Sequence, residues 1–130
     1  MTAARREPAF EARSEAYTLF SQGRRFLDHG HPGQAALLFE RAMALEPGRN
    51  SIREALGRAL FSLGQTERAA EQFATIVADV PDNDYAQYAL GRCLLKLGRT
   101  DEGRGRLRLA AALAPGRATY REALAEPSAS

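Results

Sequence analysis

Residues 50–83 read NSIREALGRALFSLGQTERAAEQFATIVADVPDN, and residues 84–117 read DYAQYALGRCLLKLGRTDEGRGRLRLAAALAPGR. Laid one above the other, they align without a gap. Gly57 falls on Gly91, Gly64 on Gly98, and Pro81 on Pro115. The preceding residues, 16–49, join the same register with Gly23, Gly30 and Pro47. Between these marks run Ala35, Ala69 and Gly103, then Phe39, Phe73 and Leu107, then Ala42, Ile76 and Ala110. A fixed period of 34 residues, three times over, is the signature of a helical repeat array. It favours binding over catalysis.

Within each unit the apolar spacing predicts two helices joined by a tight turn. In 51–63 the apolar residues are Ile52, Ala55, Leu56, Ala59, Leu60 and Leu63, at the threes and fours of one helix face. Gly64 then supplies a left-handed stop. Ser51 with Glu54 is at capping-box spacing, with Asn50 as the competing cap, and Thr66 is the candidate cap of the second helix. That helix carries Ala69, Ala70, Phe73, Ile76 and Val77 and is ended by Pro81. In the first unit, Pro32 or Gly33 opens the second helix, and Pro8 starts the first helix early enough to make it the longest. After Pro115, residues 118–126 begin a fourth unit but hold one helix only. Thr119 and Glu122 stand at capping-box spacing, and Tyr120, Ala123 and Leu124 are placed to cover the last apolar face. Residues 1–7 and 127–130 read as disordered tails around a single domain, 8–126.

These residues closely resemble tetratricopeptide repeats. The family's run of a large residue, Leu-Gly, an aromatic or Leu, Ala, Phe or Tyr, Ala and Pro appears in the second unit as Arg53, Leu56-Gly57, Leu60, Ala69, Phe73, Ile76 and Pro81. The resemblance spans about residues 16–117. It implies an all-α fold: a right-handed superhelix of three helix-turn-helix repeats with a C-terminal capping helix. It also implies that Gly at the eighth position and Ala at the twentieth let the two helices approach, while the Phe fills the space between units. The bulky first residue of the pattern is missing; Leu19, Arg53 and Gln87 stand there. Gly103 replaces the Ala and Gly105 follows it, each at a cost of about 1 kcal/mol in a helix. The second helix of the third unit is therefore expected to be the softest.

The resemblance further implies a ligand groove lined by the first helix of each unit. Its positions carry over to Tyr17, Phe20, Arg24 and Leu27, then Glu54, Arg58 and Phe61, then Tyr85, Tyr88, Arg92 and Lys96. Arg recurs at the ninth position of every unit. Adjacent helices pack about 8–10 Å apart, so Arg24, Arg58 and Arg92 are expected to form a ladder along the groove. Carboxylates of a partner could satisfy them with charge-assisted bonds, and the interleaved aromatics supply apolar contact. The opposing reading is that Glu54, four residues before Arg58, neutralises it, and that Phe20 and Tyr88 merely pack on Arg stems.

No chemistry-bearing constellation stands out, so no enzyme, cofactor or metal is expected. His29 and His31 flank Gly30 with only Asp28 nearby, and read as an exposed turn. Cys93 is single, which excludes an intrachain disulfide and reads as a buried hydrophobe. The formal charge of +2 is near balance and argues against nucleic acid, although 17 of the 18 basic residues are Arg. Residues 84–130 hold 8 basic and 5 acidic side chains, a net of +3. No apolar run approaches the roughly 18–20 residues that span a bilayer, and the polar N-terminus lacks a secretory segment. The expected protein is a cytoplasmic interaction module, adaptor or scaffold, that holds a protein or peptide with acidic groups in its groove. Alternatives are an assembly subunit or homodimer using the convex face or Tyr120 and Leu124 of the terminal helix, and RNA or phosphate binding through the Arg residues.

Overall fold

A computed structural model describes residues 8–126. Among them are seven helices and no strand: α1 (Pro8–Asp28), α2 (Pro32–Leu45), α3 (Asn50–Ser62), α4 (Thr66–Asp79), α5 (Asp84–Lys96), α6 (Thr100–Leu113) and α7 (Ala118–Ala125). Helices α3, α5 and α7 start 34 residues apart. Each helix packs chiefly on its neighbours in sequence, so the pairs stack side by side and α7 closes the stack. Helix α1 is the longest, at 21 residues.

The turn inside each pair is a Schellman motif. Gly64 adopts φ 78°, its N–H donates to Phe61 O at 3.0 Å, and the Gln65 N–H donates to Leu60 O at 2.9 Å. Gly30 and Gly98 repeat it at φ 79° and 82°. This tightness corrects the expected caps. Gln65 ends the turn of α3 and at once serves as the N-cap of α4, so Thr66 is already helical and buried. Likewise Arg49 and Arg117, without side-chain caps, precede α3 and α7, and neither expected capping box forms. Among the described N-caps, only that of α5 uses its side chain: Asn83 Oδ1 accepts from the Ala86 N–H at 3.0 Å.

The core runs as a seam between the helices of each pair. The Phe39 ring lies against Gly23, where an added Cβ would meet Cε1 at 2.6 Å. Phe73 treats Gly57 the same way, at 2.7 Å to Cζ. The ring therefore fills the space within its own unit, and it also faces the next one, with Phe73 edge-on to Tyr85 at 6.3 Å. In the third unit the smaller Leu107 replaces Phe, and the helices close up. A Cβ on Gly103 would stand 2.9 Å from the Gly91 carbonyl oxygen. The Ala-to-Gly departure is thus matched to the Phe-to-Leu departure, and α6 keeps the same 14 residues as α2 and α4.

The place of the missing bulky residue has its own use. Arg53 Nη2 donates to the Pro47 carbonyl at 2.8 Å, and Gln87 Nε2 donates to the Pro81 carbonyl at 2.9 Å. Arg121, the next residue in this register, donates to the Pro115 carbonyl. Each proline opens the turn between units, and each side chain reaches back to it from the following unit.

Alkaline pH should loosen this core. Burial pushes the Cys93 thiol from 9.0 up to about 11. Burial, and then the hydrogen bond from its hydroxyl to Asp84 Oδ2 at 2.7 Å, pushes Tyr120 from 10.0 up to about 12. Both groups are favoured protonated in the fold, so their contribution is complete below about pH 9 and is lost as the pH rises through about 12. Urea unfolding followed by circular dichroism at several alkaline pH values measures this. A Cys93→Ala, Tyr120→Phe variant should decline less steeply above pH 9; an identical decline refutes the assignment.

Candidate ligand groove

The first helices of the units leave three hollows between them. One lies between α1 and α3, about 270 Å³, and is lined by Tyr17 and Phe20 with Arg13, Arg49 and Glu46. The second lies between α3 and α5, about 150 Å³, and has Phe61, Phe73, Tyr85, Tyr88 and Ala89 as its apolar lining and Arg58 and Arg92 beside them. The third, about 410 Å³, runs from α5 to α7 and takes in Phe61, Tyr88, Arg92, Lys96 and Arg104. The period of the sequence produces this arrangement, because equivalent residues of successive helices recur on one face.

Of the eleven residues expected in the groove, eight line one of the three hollows: Tyr17 and Phe20 at one end, Arg58, Phe61, Tyr85, Tyr88 and Arg92 in the middle, and Lys96 at the far end. Arg24, Leu27 and Glu54 line none of the three. Leu27 is half-buried against the core, and Phe20 packs on Phe39 at 5.8 Å. Tyr17 is 72% exposed. The ladder is therefore divided. Arg58 and Arg92 share a hollow, while Arg24 stands apart with its guanidinium 5.7 Å from the Phe20 ring.

Arg92 is held by aromatic faces. Its guanidinium carbon lies 5.1 Å from the Phe61 ring centre and 5.8 Å from that of Tyr88, and Lys96 Nζ lies 5.0 Å from Phe61. Nη1 also approaches the Tyr88 hydroxyl at 3.5 Å. Among the described residues, Arg24, Arg58 and Arg92 have no carboxylate within ion-pairing distance, so Glu54 does not neutralise Arg58. Tyr85 is pushed above its ordinary value by burial, with Arg58 opposing and Glu54 reinforcing. The Tyr85 and Tyr88 rings of the lining stand 6.0 Å apart between centres, and Tyr88 is backed by the buried Tyr120 ring at 4.9 Å.

The register that supplied the groove did not reveal Phe73 or Arg104 as lining residues. Both come from second helices, and the signal available was only that Phe73 is the large core residue facing the next unit. Tyr120 is 1% exposed and bonded to Asp84, so it covers the third unit. His29 Nδ1 lies 2.6 Å from the Arg25 carbonyl and His31 packs edge-on to Phe26. No group of three metal-ligating side chains occurs among the described residues, and no helix there is long and apolar enough to cross a membrane.

A family model for the tetratricopeptide repeat matches residues 20–83 and again 54–118. Among solved structures, the first such domain of Spaghetti (RPAP3), bound to the HSP90 peptide SRMEEVD, superposes with a TM-score of 0.81. It is 18% identical, over 86% of this chain and 89% of that one. The corresponding domain of Arabidopsis OM64 gives 0.82 at 17% identity, over 86% and 93%. PcrH in complex with the chaperone-binding region of PopB gives 0.74 at 20%, over 86% and 90%. At these identities the likeness is one of fold. No curated protein matches the chain.

Proposed function

Because this chain belongs to the tetratricopeptide-repeat family, three two-helix repeats in a right-handed superhelix closed by α7, we propose that it is a non-enzymatic interaction module of the cytoplasm. It holds a segment of a partner protein along the concave face, with acidic groups of that segment on the arginines. One observation carries the reading: Arg58 and Arg92 stand unpaired beside a hollow lined with aromatic rings. Unpaired guanidinium groups are ready for carboxylates, and rings give contact area with little rotamer entropy to lose. Two of the similar structures are themselves complexes, one with a peptide and one with a region of another protein.

The test is the triple variant Arg24→Ala, Arg58→Ala, Arg92→Ala. Removing well-placed arginines at a binding surface costs about 2 kcal/mol or more, so partner capture should fall by at least about tenfold. The three side chains are exposed, so the helical circular dichroism should stay unchanged. Capture from the native organism's extract that is equal for wild type and variant sinks the groove reading.

A further inference from the structure

The hollow between α3 and α5 and the hollow between α5 and α7 differ in character, and they meet at Arg92. The first is small and ring-lined, of a size for one large apolar side chain. The second is wider and carries Lys96 and Arg104 beside Arg92, with Thr100 from the start of α6. Glu122 and Glu126 border it from α7, yet neither lies within ion-pairing distance of these three cations. The cations therefore remain available to an incoming anion. Arg92 lies over the Phe61 and Tyr88 rings, which places its charge at the junction of the two hollows.

We infer that the segment bound in the groove is bipartite: a bulky apolar side chain seats between α3 and α5, and a cluster of carboxylates seats between α5 and α7. This rests on the groove reading above and adds the identity and spacing of the ligand groups. Packed helices lie about 8–10 Å apart, and an extended chain advances about 3.3 Å per residue. The apolar residue and the first carboxylate are therefore separated by about three residues. Charge complementarity selects an acidic segment, since the last part of the chain, residues 84–130, carries a net of +3.

Fluorescence anisotropy with short fluorescein-labelled peptides tests this. One probe carries Phe three residues before a Glu-Glu pair, and a second carries the reverse order. At least one of them should bind saturably. Replacing its Phe by Ala, or moving its Glu pair several residues further away, should each weaken binding about tenfold. A Lys96→Ala, Arg104→Ala protein should bind it about tenfold more weakly, and should lose less affinity than the wild type does when the Glu pair is removed from the peptide. Absence of saturable binding by both orders overturns the inference. So does binding that is indifferent to the Phe and to the spacing, which would mark a plain electrostatic surface open to any polyanion, RNA included. If the peptides fail while the triple arginine variant still loses its partner, the groove reading stands and only the bipartite ligand falls. If that variant keeps its partner, both fall.

Discussion

Phe73→Ala is expected to lower the free energy of unfolding by about 3–5 kcal/mol, the usual range for truncating a buried aromatic ring. The ring is 2% exposed and rests on the bare backbone of Gly57, so nothing on α3 can move in to fill the space. It also meets the Tyr85 ring of the next unit, so the loss is felt on both sides of a joint. Small domains have about 5–15 kcal/mol in total, and this one residue holds a large share of it. Urea titration with a helical signal measures the change as a lower midpoint. A loss below about 1 kcal/mol would mean that the seam collapses freely, contrary to the close Gly–Phe contact. Because Phe73 also lines the hollow between α3 and α5, the same variant should weaken ligand binding at temperatures where it remains folded.

Gly103→Ala and Gly105→Ala, two residues apart on α6, should move stability in opposite directions. A Cβ on Gly103 would meet the Gly91 carbonyl oxygen at 2.9 Å and Leu95 Cδ2 at 3.0 Å. The carbonyl belongs to the backbone of α5 and cannot rotate aside, so the two helices must part. Overpacking of this kind costs about 1–3 kcal/mol, and the helix preference of Ala over Gly returns about 1 kcal/mol at most. A net loss of up to about 2 kcal/mol remains. At Gly105 a Cβ meets nothing within 4 Å, so only the preference counts, and a gain of about 0.5–1 kcal/mol follows. Thermal unfolding of the two variants side by side decides the matter. Equal stabilisation by both would remove the case for a tight α5–α6 approach.

The helix pairs were legible because burial follows the period of the helix, and that period is repeated three times. The turn glycines were legible for the same reason, since only a residue without Cβ takes φ near 80° at no steric cost. The caps were not, because Gln65 serves two helices and leaves Thr66 no room to cap. Register also placed Arg24, Arg58 and Arg92 alike, yet their long stems settle by local rings: Arg24 on Phe20, Arg92 between Phe61 and Tyr88. A pattern of positions fixes which face a side chain leaves from, not which neighbour its tip reaches. Arg53, Gln87 and Arg121 illustrate this most plainly. In the alignment they are failures to match a bulky apolar residue, whereas in the folded chain each tip finds a proline carbonyl.

That last feature bears on the stiffness of the trough. A stack of helix pairs flexes where one pair meets the next, and those are the places where Arg53, Gln87 and Arg121 fasten the turn. Three internal ties thereby add to the packing between units in holding the curved surface, before anything arrives. An incoming segment meets a cradle already bent to shape, and the entropy lost on docking comes from the visitor far more than from the host.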